Sequence, residues 1–231
     1  MRTPPPRRVD TLGQALRLFL RFPSPPAMLF AALVPGVARL ALGDFTRAEL
    51  WVPVIILTYW PLQEWVAHRY LQHMKPRTVL GRRFDPGFAQ THRLHHREPW
   101  RLEPTFVPLR AIAIAYVINV VFWTLVTPTL RMALTGVSLF SCMAIVYEWL
   151  HFLTHTSYRP RSRYLARVFR NHRLHHFKHE GYWFGFTVPA VDALLGTSPN
   201  PRDVERSPSV RDLGVPDDPV VEAMMEIPPE R

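Results

Sequence analysis

Ten of the eleven histidines in this 231-residue chain fall into four clusters. Two clusters are close pairs: His68 with His73 in HRYLQH, and His151 with His155 in HFLTH. The other two are copies of one string, HRLHH, carrying His92, His95 and His96 and then His172, His175 and His176. A protein using histidine as an ordinary half-buried residue would scatter it. Clustered neutral imidazoles are a donor set for zinc, copper, iron or nickel. Residues at i, i+3 and i+4 share one helix face, so the three histidines of each HRLHH can converge on one point. His151 and His155 share a face in the same way. His68 and His73 lie about 140° apart around an ideal helix, which predicts that they straddle a helix end or bend, or serve different ions.

Ten imidazoles are too many for one metal and suit two. A pair of structural zinc sites would need about eight ligands, so ten favour higher coordination, as in iron that keeps room for dioxygen. A purely histidine shell leaves the metal charge unneutralised, and nearby carboxylates should offset it. Glu64 and Glu148, about one helical turn before the pairs, and Asp192 are the candidates, expected to hydrogen-bond ligand histidines. HExxH is absent and no carboxylate sits between paired histidines as a general base, which argues against a zinc hydrolase. The single cysteine, Cys142, excludes a disulfide within the chain and a cysteine-based zinc site, and reads as a small core residue.

These clusters need elements to position them, and the hydropathy pattern supplies long apolar runs. Four candidate membrane spans cover residues 27–42, 49–67, 109–127 and 132–152, against the roughly 20 apolar residues that cross a bilayer core. The first is short and carries Arg39 near its end. All 28 Lys and Arg except Arg39, Arg47 and Arg131 lie in segments 1–26, 68–110 and 153–231. By the positive-inside rule both termini, the 68–110 loop and the histidine clusters are then cytoplasmic. The net charge of +10 reads as topology and anionic-lipid contact; no motif supports nucleic-acid binding. Spans two and four run in the same direction, so all ten histidines can meet at the inner face. A non-catalytic transporter would instead string its ligands along the spans. The expected fold is all-α: about four transmembrane helices plus a cytoplasmic helical cap carrying a ten-histidine di-metal site.

Three regions follow. Residues 1–26 form an N-terminal interfacial segment, where TLGQALRLFLRF sets Leu12, Ala15, Leu16, Phe19 and Leu20 on one face and Arg17 and Arg21 on the other. With 26 Pro- and Arg-rich residues before it, the first apolar run reads as a retained anchor. Residues 27–197 form the membrane domain. Residues 198–231, rich in proline and acids with few aromatics, read as a disordered tail. A faint duplication runs through the domain. QEWVAHRYLQH ends the second span and YEWLHFLTH the fourth, and each is followed by HRLHH.

The order H-x(4)-H, HxxHH, HxxxH, HxxHH, interleaved with spans, resembles the fatty acid hydroxylase superfamily of integral-membrane di-iron proteins, which includes sterol desaturases. The string YLARVFRNHRLHHFKHEGYWFGFTVPAVDALLGT is most similar to its fatty acid 2-hydroxylase branch, with HHF, a GFG-like Phe184-Gly185-Phe186 and a D-x-x-x-G-T ending. The resemblance covers about residues 50–197. It implies that His68, His73, His92, His95, His96, His151, His155, His172, His175 and His176 ligate two iron ions, with zinc able to occupy the sites in purified protein. His179 matches no ligand.

The resemblance further implies dioxygen-dependent hydroxylation of a membrane lipid acyl chain; desaturation on the same metals and non-catalytic metal binding are the alternatives. No His-Pro-Gly-Gly haem motif occurs, so electrons are expected from a separate carrier and its reductase. Trp60, Trp65, Trp100, Trp149, Tyr182, Trp183 and Phe184 are candidates to line the acyl channel. Arg outnumbers Lys 26 to 2, which suggests a GC-rich bacterial genome and an inner-membrane location. Oligomeric state is not legible.

Overall fold

The structure, a computed structural model, describes residues 8–228; residues 1–7 of the expected N-terminal segment and 229–231 of the tail lie outside it. Four long helices dominate: α2 (Ser24–Ala41), α3 (Trp51–Val66), α5 (Leu109–Val126) and α6 (Leu130–Thr154). They follow a short α1 (Leu12–Phe19) and alternate in direction. The start of α2 touches the end of α6 through Ser24 and Glu148, and its far end meets Arg131 at the start of α6. Among the described residues, three stretches are long and apolar enough to cross a membrane: Ser24–Ala41, Glu103–Val126 and Leu130–Thr154. The second expected span has only 16 α-helical residues, but it continues without a break into a π-helical turn, Ala67–Gln72.

Outward faces of these helices are apolar. Phe30, Leu33, Leu57, Ile114 and Leu125 are all at least 60% exposed, as lipid-facing residues should be. Cys142 is also on an outward face of α6 rather than in the core. Between helices, small residues allow close approach. A Cβ on Gly136 would lie 2.1 Å from Trp123 Cδ2, so only glycine lets α5 seat its indole against α6. Arg39, unusual in an apolar helix, is buried and forked onto Glu49 at 2.7 and 2.6 Å. This bidentate geometry compensates the charge.

Helix α1 starts with a capping box. The Thr11 hydroxyl accepts from the Gln14 amide at 3.2 Å, and the Gln14 side chain accepts from the Thr11 amide at 3.3 Å. Ala15 and Phe19 join a core with Phe106 and Phe152, while Leu12, Leu16 and Leu20 stay exposed. The apolar face is thus shared between protein and surroundings.

The remaining elements gather at one end of the long helices. They are α4 (Gly87–Arg97), α7 (Arg163–Phe177), α8 (Ala190–Leu194) and α9 (Pro219–Glu226). The all-α expectation needs one correction: β1 (Arg77–Val79) and β2 (Arg82–Phe84) form a small antiparallel hairpin. Its two-residue loop, Leu80-Gly81, has positive φ at both positions, the requirement of a tight hairpin turn.

The expected disordered tail is the larger correction. Up to residue 228 it is laid across α4 and α7, with Val210, Leu213 and Val221 buried. Polar anchors hold it where aromatic ones are missing. Arg97 donates to the Val215 carbonyl at 2.8 Å, the Ser207 amide donates to the Lys178 carbonyl at 2.8 Å, and Asp218 pairs with Arg93 at 2.6 Å.

Candidate metal centre

The structure brings all ten clustered histidines together in two groups of five. His68, His73, His92, His96 and His175 form one; His95, His151, His155, His172 and His176 form the other. Within each group the ligand atoms lie within 4.8 Å of one another, so each group could hold a metal ion. His179 lies outside both groups, its Nδ1 accepting from the Gly181 amide at 3.0 Å.

Neither HRLHH converges on one point, and that expectation is corrected. In α4, His92 and His96 face the first group and His95 faces the second; in α7, His172 and His176 face the second and His175 crosses to the first. The reason is angular. Residues i and i+4 are about 40° apart on a helix, whereas i+3 and i+4 are about 100° apart. Each helix therefore lies between the groups and divides its imidazoles. His96 and His176 stack across the divide with ring centroids 4.1 Å apart.

His68 and His73 serve one group, contrary to the geometry of an ideal α-helix. The π turn at 67–72 explains this. Its backbone bond runs from the His73 amide to the His68 carbonyl, 3.3 Å. A bond from i+5 to i brings residues five apart onto one face.

Backbone carbonyls fix several rings from behind. His68 Nδ1 meets the Phe184 carbonyl at 2.8 Å, and His175 Nδ1 the Tyr182 carbonyl at 2.7 Å. His96 Nδ1 meets the Val210 carbonyl at 3.0 Å, and His155 Nδ1 the Pro99 carbonyl at 2.6 Å. Only the protonated nitrogen can donate to a carbonyl, so Nε2 of each of these rings carries the lone pair. Those inward nitrogens have no ordinary partner. His68, His92 and His96 Nε2 are buried without a hydrogen bond. His155 Nε2 faces His172 Nε2 at 2.6 Å, and His73 Nε2 faces His175 Nε2 at 3.2 Å.

Burial pushes His96 down to about 3. Burial and then mutual repulsion hold His92, His95, His172, His175 and His176 well below the ordinary imidazole range. Neutral imidazoles aiming lone pairs at common points make a donor set that fits metal ions.

The three acidic candidates do not hydrogen-bond histidine, and this too is a correction. Asp192 accepts from the Phe184 and Gly185 amides at 2.9 and 2.8 Å and from Thr197 Oγ1 at 2.7 Å. Glu64 accepts from the Phe186 and Thr187 amides and from Trp60 Nε1. Glu148 accepts from Ser24 Oγ at 2.7 Å and the Val107 amide at 2.9 Å. Asp192 and Glu64 brace the loop 184–187, whose Phe184 carbonyl in turn sets His68. They act one step further back than expected. Burial raises the Asp192 carboxyl above its usual range, and its hydrogen bonds oppose that rise. Gly185 permits the tight fold of this loop, since a Cβ there would lie 2.7 Å from Val191 Cγ1.

An apolar cavity of about 260 Å³ opens between α2, α3, α5 and α6. Its walls include Trp60, Tyr116, Asn119 and Phe140, and at the histidine end Ala67, Gln72 and Tyr147. Tyr147 lies 5.9 Å from the His151 ring, and Phe186 stands over His172 at 4.2 Å. Of the aromatic residues expected in a channel, only Trp60 lines it. Trp149 packs in the α1 core, Trp100 stacks on Phe177, and Trp65 donates to Thr197. Asn119 and Tyr147 carry no sequence signal, each sitting inside an apolar run with no spacing of its own, and Phe186 is marked only by the GFG-like element.

The sequence profile of the fatty acid hydroxylase family matches residues 53–197, the stretch that holds every one of the ten histidines. The chain belongs to the fatty acid hydroxylase family. Within it, this member is 25% identical over 65% of its length to the dihydroceramide fatty acyl 2-hydroxylase FAH1 of Arabidopsis thaliana, spanning 62% of that protein. It is 25% identical over 62% of its length to the fatty acid 2-hydroxylase of Rattus norvegicus, spanning 38% of that one. The chain thus covers less than two thirds of these relatives, and its similarity points to the 2-hydroxylase branch. A solved structure of full-length scs7p, in which only the hydroxylase domain is visible, superposes with a TM-score of 0.61. That match has 23% identity and covers 86% of this hydroxylase-family chain and 70% of the other; it shows a shared fold.

Proposed function

We propose that this protein is a membrane-bound lipid hydroxylase whose two five-histidine groups each hold one iron ion. The observation that carries the reading is the pair of buried histidine groups beside an apolar cavity within the helices, whose wall residue Tyr147 lies 5.9 Å from the His151 ring. Bound iron would supply dioxygen activation, in the overall reaction RH + O2 + 2 e⁻ + 2 H⁺ → ROH + H2O. His68, His73, His92, His96 and His175 would hold one ion; His95, His151, His155, His172 and His176 the other.

The chain's own residues do the rest. The cavity walls take the apolar tail, so the acyl chain need not leave the bilayer to reach the metals. Phe186 and Tyr147 keep the approach dry and set the angle of the reacting carbon. The Phe184, Tyr182, Pro99 and Val210 carbonyls hold the Nδ1 protons outward, which keeps the facing Nε2 atoms available. The names of the curated relatives support the acyl 2-position as the carbon oxidised.

The wider reading follows the charge pattern. Four spans, counting α3 with its π turn, place both termini and the centre on the cytoplasmic side of a bacterial inner membrane. Residues 27–197 form the catalytic domain, and a separate carrier and reductase deliver electrons. Lipid mass spectrometry on cells expressing the wild type and His175→Ala tests this. One lipid class gaining a single oxygen in the wild type alone is expected. Loss of two hydrogens would instead assign desaturation, and no change despite bound iron and a working donor would refute catalysis.

A further inference from the structure

Behind the second histidine group, the outward side of α7 carries a groove of about 540 Å³. Arg159, Arg170, Arg173 and Lys178 rim it, with Leu174 and Phe177 among its apolar residues. The stretch 159–178 contains seven Lys and Arg and no Asp or Glu. None of the seven forms an ion pair among the described residues. Arg93 of the other HRLHH is by contrast spent internally on Asp85 and Asp218. Uncompensated like charge on one helix face costs stability unless a partner answers it.

The groove is also the outer end of a short aromatic route. Phe177 stacks on Trp100 with centroids 5.6 Å apart, Trp100 lies 6.2 Å from His155, and Phe177 lies 6.3 Å from His176. One ring, Phe177, therefore lies between the groove and His176, and two, Phe177 and Trp100, between the groove and His155.

We propose that this groove is the docking site of a small acidic one-electron carrier protein. The proposal rests on the hydroxylase reading, because that reaction takes two electrons from outside the chain. Each docking event passes one electron, oxidising the carrier by one unit, so two events serve one turnover. Acidic groups around the carrier's redox centre complement the arginine rim, and an apolar edge seats on Leu174 and Phe177. A protein fits the groove better than a lipid surface does. A membrane-surface site presents exposed apolar anchors beside its cations, and none of the large apolar residues lining this groove is exposed; the exposed Tyr164 of α7 lies outside its lining.

The test compares two charge reversals of equal size in the full-length, iron-loaded protein. Arg159→Glu/Arg170→Glu alters the groove; Arg17→Glu/Arg21→Glu alters exposed basic residues on α1 and just after it. Binding of an acidic b-type cytochrome and of an acidic [2Fe–2S] ferredoxin is titrated in detergent at rising salt, and lipid hydroxylation is driven by each carrier and, separately, by a small photoreductant. At low salt the wild type and α1 variant should bind at least one carrier, with affinity falling as salt rises. The groove variant should bind it tenfold or more weaker, lose carrier-driven turnover to a similar degree, and keep photoreductant-driven turnover within twofold. Equal binding by all three proteins overturns the proposal, as does an equal loss in the α1 variant or no binding of either carrier. Unchanged carrier binding with turnover lost only in phosphatidylserine bilayers assigns the groove to lipid headgroups and also overturns it. Groove-dependent binding without hydroxylation under any donor would refute the hydroxylase reading while leaving the docking surface standing.

Discussion

The two HRLHH strings are identical in sequence and opposite in circumstance. In the first, Arg93 is 1% exposed and fully engaged, with Asp218 at 2.6 Å, Asp85 at 2.8 Å and the Met74 carbonyl at 3.0 Å. In the second, Arg173 faces the surroundings with no ion pair among the described residues. The histidine pairs that precede the strings differ as well, one spaced by five residues on a π turn and the other by four on a regular helix. Yet the two halves deliver the same product. Each places a pair from a long helix, a pair from its own HRLHH and a single imidazole from the other half around one point. The backbone has absorbed the difference in spacing, and the arginines have taken on unrelated tasks. A repeated motif fixes donor directions; what surrounds it decides every other role.

The strongest way to break this equivalence is to remove a donor that crosses between the halves. His95→Ala or His175→Ala should each lower lipid hydroxylation on the order of 100-fold or more and reduce bound iron, since each takes one ligand from the opposite half's group. Metal analysis beside turnover checks this. Next is spacing. Deleting Leu71 would convert the five-residue interval between His68 and His73 to four and unwind the π turn. We expect one iron per chain to be lost while the second half keeps its own. Retention of both ions would show that the turn is not needed.

The arginines sharpen the contrast. Arg93→Ala leaves Asp218 buried without its close cation and Asp85 with only the half-exposed Arg83, and should cost about 3–5 kcal/mol in chemical unfolding. Glu64→Ala orphans the Phe186 and Thr187 amides and should cost about 1–3 kcal/mol, with mobility appearing at Phe186. Arg173→Ala, the smallest effect, should stay within about 0.5 kcal/mol of wild type. Similar losses for both arginines would abolish the distinction drawn here.

Much of this was legible in the chain. Apolar runs located the long helices to within a few residues, because a helix facing lipid must be apolar along its length. Histidine spacing marked the same ten residues that the structure gathers, because no other arrangement explains their clustering. The division of each HRLHH was not legible. It depends on where two centres lie relative to a helix axis, a tertiary fact. The π turn was hidden because a spacing of five reads equally well as a bend. Arg93 and Arg173 share identical flanks, so only the positions of Asp85 and Asp218 tell them apart. The tail reads as disordered from composition because several of its holders are backbone carbonyls and amides, which every residue carries, while its few buried apolar residues and Asp218 look no different from the rest of a polar stretch.

One of those carbonyls sets an order of events during synthesis. His96 is oriented by Val210, and Arg93 beside it is neutralised by Asp218, residues translated more than a hundred positions later. The first histidine group cannot reach its final geometry while the ribosome still holds that part of the chain. Iron arriving early would meet a half-built site with a mobile His96 and an arginine answered by Asp85 alone. Completion of the centre is thereby tied to completion of the polypeptide, and a ribosome stalled short of residue 210 would leave a membrane-inserted product unable to set that ring.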